Sequence, residues 1–391
     1  MDFELPAEHP ARTAVREWIA AHPTPTPREL ADAGYVVPHW PKPWGLDADP
    51  IEQLLVSDEL KKAGINRPIN PIGIGHCGPI LVMHGSEEQK KRYIPPMLSA
   101  EEIWCQLFSE PGAGSDLAGV STRVEKTPIE GGGWVVNGQK VWTSLAHQAS
   151  YGILLARTNP DVPKHQGLSY FLIDMKTRGV DIRPLVEMTG DHLFNEVFFT
   201  DVHIPADALI GQEGNGWAMA RDTLDNERVT LSRAGLQWGW GPTAEDLVNV
   251  ARDKGGVKDA TLRMRLVDAY IEHEIIRIHG LRMVAAAVSG RPGPEASLRK
   301  ALSDPHGQKT FILSKDLAGA QGMLLDSGPL GADPMWWSRG FLFAPALTIG
   351  GGTSEVLRNV IAERMLGLPR EREEDTDKPW NEARRARSER V

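Results

Sequence analysis

The chain has 391 residues, 41% of them hydrophobic and 24% charged, with a formal net charge of -9. That length accommodates two or three domains with buried cores. The composition excludes a disordered or collagen-like chain, and the acidic balance argues against nucleic acid as the main partner. Its two cysteines, Cys77 and Cys105, exclude a disulfide scaffold and a zinc cluster and fit a reducing compartment. "MDFELPAEHPARTAVREW" at the N-terminus has no basic stretch leading into an apolar run. No apolar run approaches the ~20 residues that span a bilayer. A cytoplasmic protein without membrane contact is expected.

Up to about residue 103 the pattern is helical. "ARTAVREWIAA", "PIEQLLVSDELKKAG" and "SEEQKKRYIPPML" carry apolar residues at helical spacing, and Ser86 with Gln89 forms a capping-box pattern. "VPHWPKPW" between them reads as a rigid loop. The period then changes to that of strands. "GGWVVNGQKVWTS" predicts a hairpin turning at Asn137-Gly138, and "YGILLARTN", "GLSYFLIDM", "GVDIRPL" and "NEVFFTDVHIP" predict further strands. Residues 104–208 therefore read as an all-β, barrel-like domain. From 209 to 369 four long helices are predicted, with Pro292-Gly293-Pro294 breaking two of them apart, as in a four-helix bundle. Residues 370–391 read as a polar tail, mobile or draped on a partner. The class is α+β: N-terminal helical domain, middle all-β barrel-like domain, C-terminal four-helix bundle.

Three stretches carry candidate chemistry. In "QLFSEPGAGSDLAGVSTRV", Gly112 and Gly114 form a tight loop with backbone N–H groups, flanked by the hydroxyls of Ser109 and Ser115. It is not a dinucleotide fingerprint, because the third glycine and the βαβ context are missing. A structural turn is the plain alternative. In "VNGQKVWTS", an aromatic and two hydroxyls end a strand, suited to stacking on a flat ring and bonding its polar edge. A half-buried strand end is the plain alternative there. In "TIGGGTSEV", a glycine run precedes a helix, which can cradle an anion or serve as a turn.

In their order along the chain, "GSEEQKKRYIPPMLSAE", "SEPGAGSDLAG", "GQKVWTS", "FNEVFFTDVHIPADALIGQEGNGW" and "GGTSEVLRNVIAERMLGLPRE" closely resemble the acyl-CoA dehydrogenase family. The resemblance covers nearly the whole chain. It implies an FAD-dependent oxidoreductase of fatty acid or lipid metabolism that desaturates an acyl-CoA thioester. Gln106, Phe108, Ser109, Gly114 and Ser115 fall on the loop meeting the flavin and the thioester. Trp142, Thr143 and Ser144 fall on the segment packing against the flavin. Thr353 and Glu355 fall on the cofactor-contacting start of the last helix. Electron-transfer flavoprotein is the implied electron acceptor. A dimer or tetramer is the implied assembly, because the family builds its cofactor site from two subunits.

The catalytic position departs from the commonest family pattern. Many members place the base as a glutamate directly before Gly-Thr of the last motif, and here that residue is Gly351. A smaller set, including enzymes of branched substrates, carries it in a Glu-Arg pair on an earlier helix. Glu227-Arg228 in "MARDTLDNERVTLS" matches that place. Glu227 is then the expected base, with Ser115, Gly351 and Arg228 on the substrate. Its pKa is expected to be raised by desolvation, and the enolate to be held by hydrogen-bond donors. Glycines at 350 and 351 imply room for a branched or bulky acyl chain, steroid-derived chains included. The resemblance also leaves a partner subunit of a heteromeric dehydrogenase, a flavin-dependent monooxygenase of the same fold and a non-catalytic flavin-binding scaffold. Asp116 reads as a loop brace and Asp191 as a pocket-lining group. His76, His84 and His147 lack metal-ligand spacing, so no metal is expected. Arg252 lies roughly where the family holds the FAD pyrophosphate, without a clear motif match.

Overall fold

The computed structural model describes residues 5–127, 132–233, 241–253, 255–288, 295–323, 334–371 and 375–388. The chain divides into two units, one of Met1–Leu185, His192–Asn226 and Arg372–Val391, the other of Val186–Asp191 and Glu227–Glu371.

The first unit begins with five helices: α1 (Pro10–Ala21), α2 (Pro27–Asp32), α3 (Pro50–Lys62), α4 (Gly78–His84) and α5 (Glu87–Leu98). Thr26 with Glu29, Asp49 with Glu52 and Ser86 with Gln89 open α2, α3 and α5 as reciprocal capping boxes. Each box satisfies two backbone donors that a helix start leaves unpaired. One turn of π-helix, Gly73–Cys77, leads into α4.

Eight strands follow: β1 (Trp104–Leu107), β2 (Arg123–Lys126), β3 (Trp134–Lys140), β4 (Tyr151–Arg157), β5 (Leu168–Asp174), β6 (Val180–Pro184), β7 (Asn195–Ile204) and β8 (Leu209–Ile210). They form one sheet in the order β6-β7-β3-β2-β4-β5-β8, with β1 paired in parallel to β4. The pleat sends alternate residues to opposite faces. Ile153, Leu155, Tyr170 and Leu172 join a core with Leu30, Ile80, Ile94 and Met97 of the helices. Leu154, Ala156, Phe171 and Ile173 join a second core with Val197 and Phe199. Helices and sheet thus share one interior.

The expected hairpin at Asn137-Gly138 is corrected. Both residues lie inside β3, which pairs along β7 with a register shift between Val136 and Gly138. Gly138 sits at φ 152, and a side chain there would run into Thr122, so the glycine serves a bulge and not a turn.

The remaining helices are α6 (Gly216–Arg233), α7 (Ala244–Asp253), α8 (Ala260–Val288), α9 (Glu295–Ala318), α10 (Pro334–Phe343), α11 (Ser354–Arg364) and α12 (Trp380–Ser388). The α+β class and the helix–sheet–helix order hold. The long helices of the C-terminal region are joined by two short ones, α7 and α10, which the four-helix expectation left out. They belong to the bundle because Ala244, Leu247 and Trp337 pack with Leu266, Ala269 and Leu313. The Pro292-Gly293-Pro294 break lies outside the described residues.

The polar tail ends in α12, which lies on the β4–β5 turn. Trp380 N donates to Val162 O at 2.9 Å and Asn381 N to Pro160 O at 3.1 Å. These bonds make the described residues 375–388 part of the first unit, against the expectation of a mobile tail.

Candidate functional site

In the first unit, β1 delivers the glycine loop. Gln106 meets His76 Nδ1 at 3.0 Å, a partner supplied by the π-turn before α4. The Phe108 ring turns inward, edge-on to Tyr170 at 5.8 Å. Ser109 O accepts from Val141 N at 2.9 Å. This one bond sets the glycine loop beside Trp142-Thr143-Ser144, two motifs some thirty residues apart in sequence. Beyond their chain neighbours, no atom of the described residues comes within 4 Å of where a side chain on Gly112 or Gly114 would begin, and Ser115 is exposed. The loop therefore presents bare backbone to whatever binds it.

Buried charges fix that loop from behind. Glu110 accepts from Ser121 N at 2.7 Å, Thr122 N at 2.9 Å and Lys140 Nζ at 2.9 Å. Lys140, fully buried, also donates to Phe108 O and Leu155 O, each at 2.8 Å. Burial alone would raise the Glu110 pKa, but the Lys140 ammonium and the Thr122 and Ser121 donors outweigh it and hold it at about 2. Burial lowers the Lys140 ammonium, opposed by Glu110. Further along, Arg157 donates to Val120 O at 3.1 Å and Ala118 O at 2.6 Å, and Lys164 pairs with Asp116 at 2.8 Å. Asp116 is thus placed as a loop brace.

The segment after β3 is held open on its outer side. Trp142 and Leu145 both adopt φ 59, a left-handed conformation that costs a non-glycine residue about 1–3 kcal/mol. Asn195 enforces it: Thr143 N donates to Asn195 O at 3.0 Å, Asn195 N to Thr143 O at 3.1 Å and Asn195 Nδ2 to Thr143 O at 2.9 Å. The Trp142 indole is 61% exposed, edge-on to Phe194. Thr143 is buried, and its Oγ1 has no hydrogen-bond partner among the described residues. Ser144 is half-buried.

The second unit carries the other candidates. Gln308 Nε2 donates to Ala344 O and Thr348 Oγ1, both at 3.0 Å, and Lys300 Nζ to Leu347 O at 3.1 Å. These bonds from α9 anchor the turn that leads into Gly350. Gly351 and Gly352 follow at φ 67 and 97. Thr353 then caps α11, its hydroxyl accepting from Val356 N at 3.3 Å, and Glu355 lies exposed in the first turn. Glu227 is half-buried on α6. Arg228 is on the same helix, and its side chain lies outside the described residues. Asp191 is engaged by Arg339 Nε at 2.7 Å. Arg252 is exposed on α7 and donates to Asn249 Oδ1. Back in the first unit, His84 pairs with Asp222 at 3.1 Å, and His147 tilts against His192.

Sequence reasoning passed over Glu110, Lys140, Arg157 and Asn195. One signal was available: Lys140 falls at an inward position of the alternating strand Trp134, Val136, Lys140, where an ammonium needs buried partners.

Three family models match the chain: acyl-CoA dehydrogenase N-terminal domain over residues 7–101, middle domain over 105–202 and C-terminal domain over 214–366. Acyl-CoA dehydrogenase FadE34 of Mycobacterium tuberculosis (strain ATCC 25618 / H37Rv) is 42% identical over 87% of this chain. This chain spans 46% of that protein's length. Acyl-CoA dehydrogenase IpdE1 of the same organism is 37% identical over 93% of this chain and 90% of its own. A solved structure described as "Tcur3481-Tcur3483 steroid ACAD" superimposes with a TM-score of 0.76 at 27% identity, covering 95% of this chain and 100% of that one.

Proposed function

The chain belongs to the acyl-CoA dehydrogenase family, and from that premise we propose that it desaturates an acyl-CoA thioester with Glu227 as the base. The observation that carries this reading is the pairing of an emptied position with an occupied one. Gly351, where many relatives hold the base, offers a left-handed turn and no carboxylate. Helix α6 offers Glu227, half-buried, at the alternative register.

FAD is the cofactor of this family, and the residues present fit it. Thr143 Oγ1 is a buried hydroxyl lacking a partner among the described residues, beside an exposed Trp142 indole and a glycine loop with open space in front of its backbone. An orphaned buried hydroxyl costs about 1–3 kcal/mol, a penalty that a ligand acceptor or donor removes. Trp142, Thr143 and Ser144 would hold the flavin together with Gln106, Ser109, Gly114 and Ser115. Thr353 and Glu355 would contact the cofactor from the start of α11. Bound FAD would accept the hydride lost from the β-carbon. Glu227 would take the α-proton. The Gly351 N–H would donate to the thioester oxygen, stabilising the enolate as its charge develops.

The absence of a side chain at Gly351, next to Gly350, supports a branched or bulky acyl group. A relative's description as a steroid ACAD supports the steroid-derived case. That description also pairs two protein names, which favours a second reading in which this chain is the base-bearing half of a heteromer. Electron-transfer flavoprotein is the proposed electron acceptor.

A panel of straight, branched and steroid-derived acyl-CoAs, read by flavin bleaching of the purified protein, tests the reaction and its substrate together. Glu227→Gln should retain FAD and lose on the order of 10²–10⁴-fold in bleaching rate. Near-normal turnover in that variant removes Glu227 from the mechanism. Oxygen uptake in place of acceptor reduction would instead favour a monooxygenase.

A further inference from the structure

We infer that the C-terminal strap, residues 375–388, is a positioning device for the glycine loop, acting through Trp380 and Arg157. The inference rests on the flavoprotein reading for its consequence but not for its geometry. The Trp380 indole lies against two guanidinium groups, that of Arg157 at 4.2 Å and that of Arg384 at 5.1 Å. Arg157 is 3% exposed, so its charge is desolvated and depends on what surrounds it. Its donors all point to backbone carbonyls, those of Val120, Ala118 and Lys164. Two of these three end the glycine loop. The third belongs to the β4–β5 turn, whose Lys164 ammonium reaches back to Asp116 of the same loop.

The strap is itself bonded to that turn. Pro163 and Pro379 form a β-bridge, Trp380 and Asn381 donate to Val162 O and Pro160 O, and Asn381 Nδ2 donates to Asp161 Oδ1 at 2.6 Å. Between strap and loop remains a cleft of about 230 Å³, lined by Gly112, Asp116, Gly119, Lys164, Lys378 and Arg384. The strap therefore reaches the loop mainly through the turn and the Arg157 side chain. A cation held over an indole face and fixed in a dry site keeps its direction. Without the indole, water enters beside Arg157 and its hold on Ala118 and Val120 loosens.

The test uses the full chain with Trp380→Ala, Trp380→Phe and Arg384→Ala. The first readout is hydrogen exchange in FAD-free protein at the Gly119 and Val120 amides, which bond to Asp116 O and Leu117 O. Trp380→Ala should speed exchange there by about tenfold. Amides of β4 and β5 should be unchanged, and Trp380→Phe should restore protection. Arg384→Ala, which removes only the outer cation, should give a smaller change of the same pattern. The second readout is FAD binding by titration, expected about tenfold weaker in Trp380→Ala. Wild-type exchange at Gly119 and Val120 in Trp380→Ala overturns the inference, as does equal acceleration throughout the sheet. Failure of the wild-type chain to bind FAD would sink the flavoprotein reading and leave the exchange result standing by itself.

Discussion

At the scale of single residues, Thr143 gives the sharpest test, because its two possible roles predict opposite signs. A buried threonine that only packs would lose little on becoming valine, and one satisfied by the protein would lose a hydrogen bond. Thr143 Oγ1 is buried and has no partner among the described residues. Thr143→Val should therefore leave the melting temperature of FAD-free protein unchanged or raise it, by up to about 1 kcal/mol of stability. The same change should weaken FAD binding by about tenfold if the hydroxyl meets the flavin. Thermal melts with and without FAD decide this. Lower stability without FAD, or unchanged affinity with it, sinks the assignment. Trp142 and Leu145 point the same way, since two strained non-glycine residues in four positions persist only where their surroundings over-determine them.

At the scale of elements, the glycine loop depends on the Glu110–Lys140 pair. Glu110 is held at about 2, below its ordinary 4.5. A carboxyl depressed in the folded state contributes stability that is complete above its unfolded pKa and is lost as pH falls through its folded one. The loop should accordingly loosen between about pH 4.5 and pH 2, while Glu110→Gln should show that loosening already at neutral pH. Removing one partner of a buried pair costs about 3–5 kcal/mol, so the variant should also melt lower. Tryptophan fluorescence across an acid titration checks both, and an identical acid profile in the variant would count against the pair. What was legible in the sequence follows the same boundary between local and distant. The capping box of α5 and the apolar runs of β4 and β5 are written in contiguous residues, and they read correctly. Asn137-Gly138 misled because turn preference is local, whereas β7, some sixty residues on, decides that β3 continues through it. Glu110 with Lys140 and Thr143 with Asn195 were invisible as pairs for that reason: the inward Lys140 of β3 calls for a buried partner without naming Glu110, and Asn195 is ordinary alone. Helices α7 and α10, at 10 residues each, were too short for periodicity to separate from loop.

At the scale of the whole molecule, α8 carries the argument for assembly. Leu266, Ala269, His273 and Ile276 are buried along one face of it. Met264, Val267, Ile271, Ile275 and Ile278, three or four positions apart, are 45–58% exposed along another. A helix apolar on both faces is built to be covered on both, and a stripe at this spacing fits a second helix laid along it. The homo-oligomer implied by the family would supply that helix from a second copy. Ile271→Lys with Ile275→Lys places two charges on the stripe without touching the buried face. The double variant should keep its helical signal, since exposed substitutions shift stability by about 0.5 kcal/mol or less. Light scattering should then show the assembly falling to a smaller species, and FAD retention should fall with it if the cofactor site draws on two subunits. A double variant of unchanged mass would move the interface off α8. A wild-type chain that is monomeric alone but assembles when mixed with a related dehydrogenase chain would identify the covering helix as a partner's, and with it the heteromeric form of the enzyme.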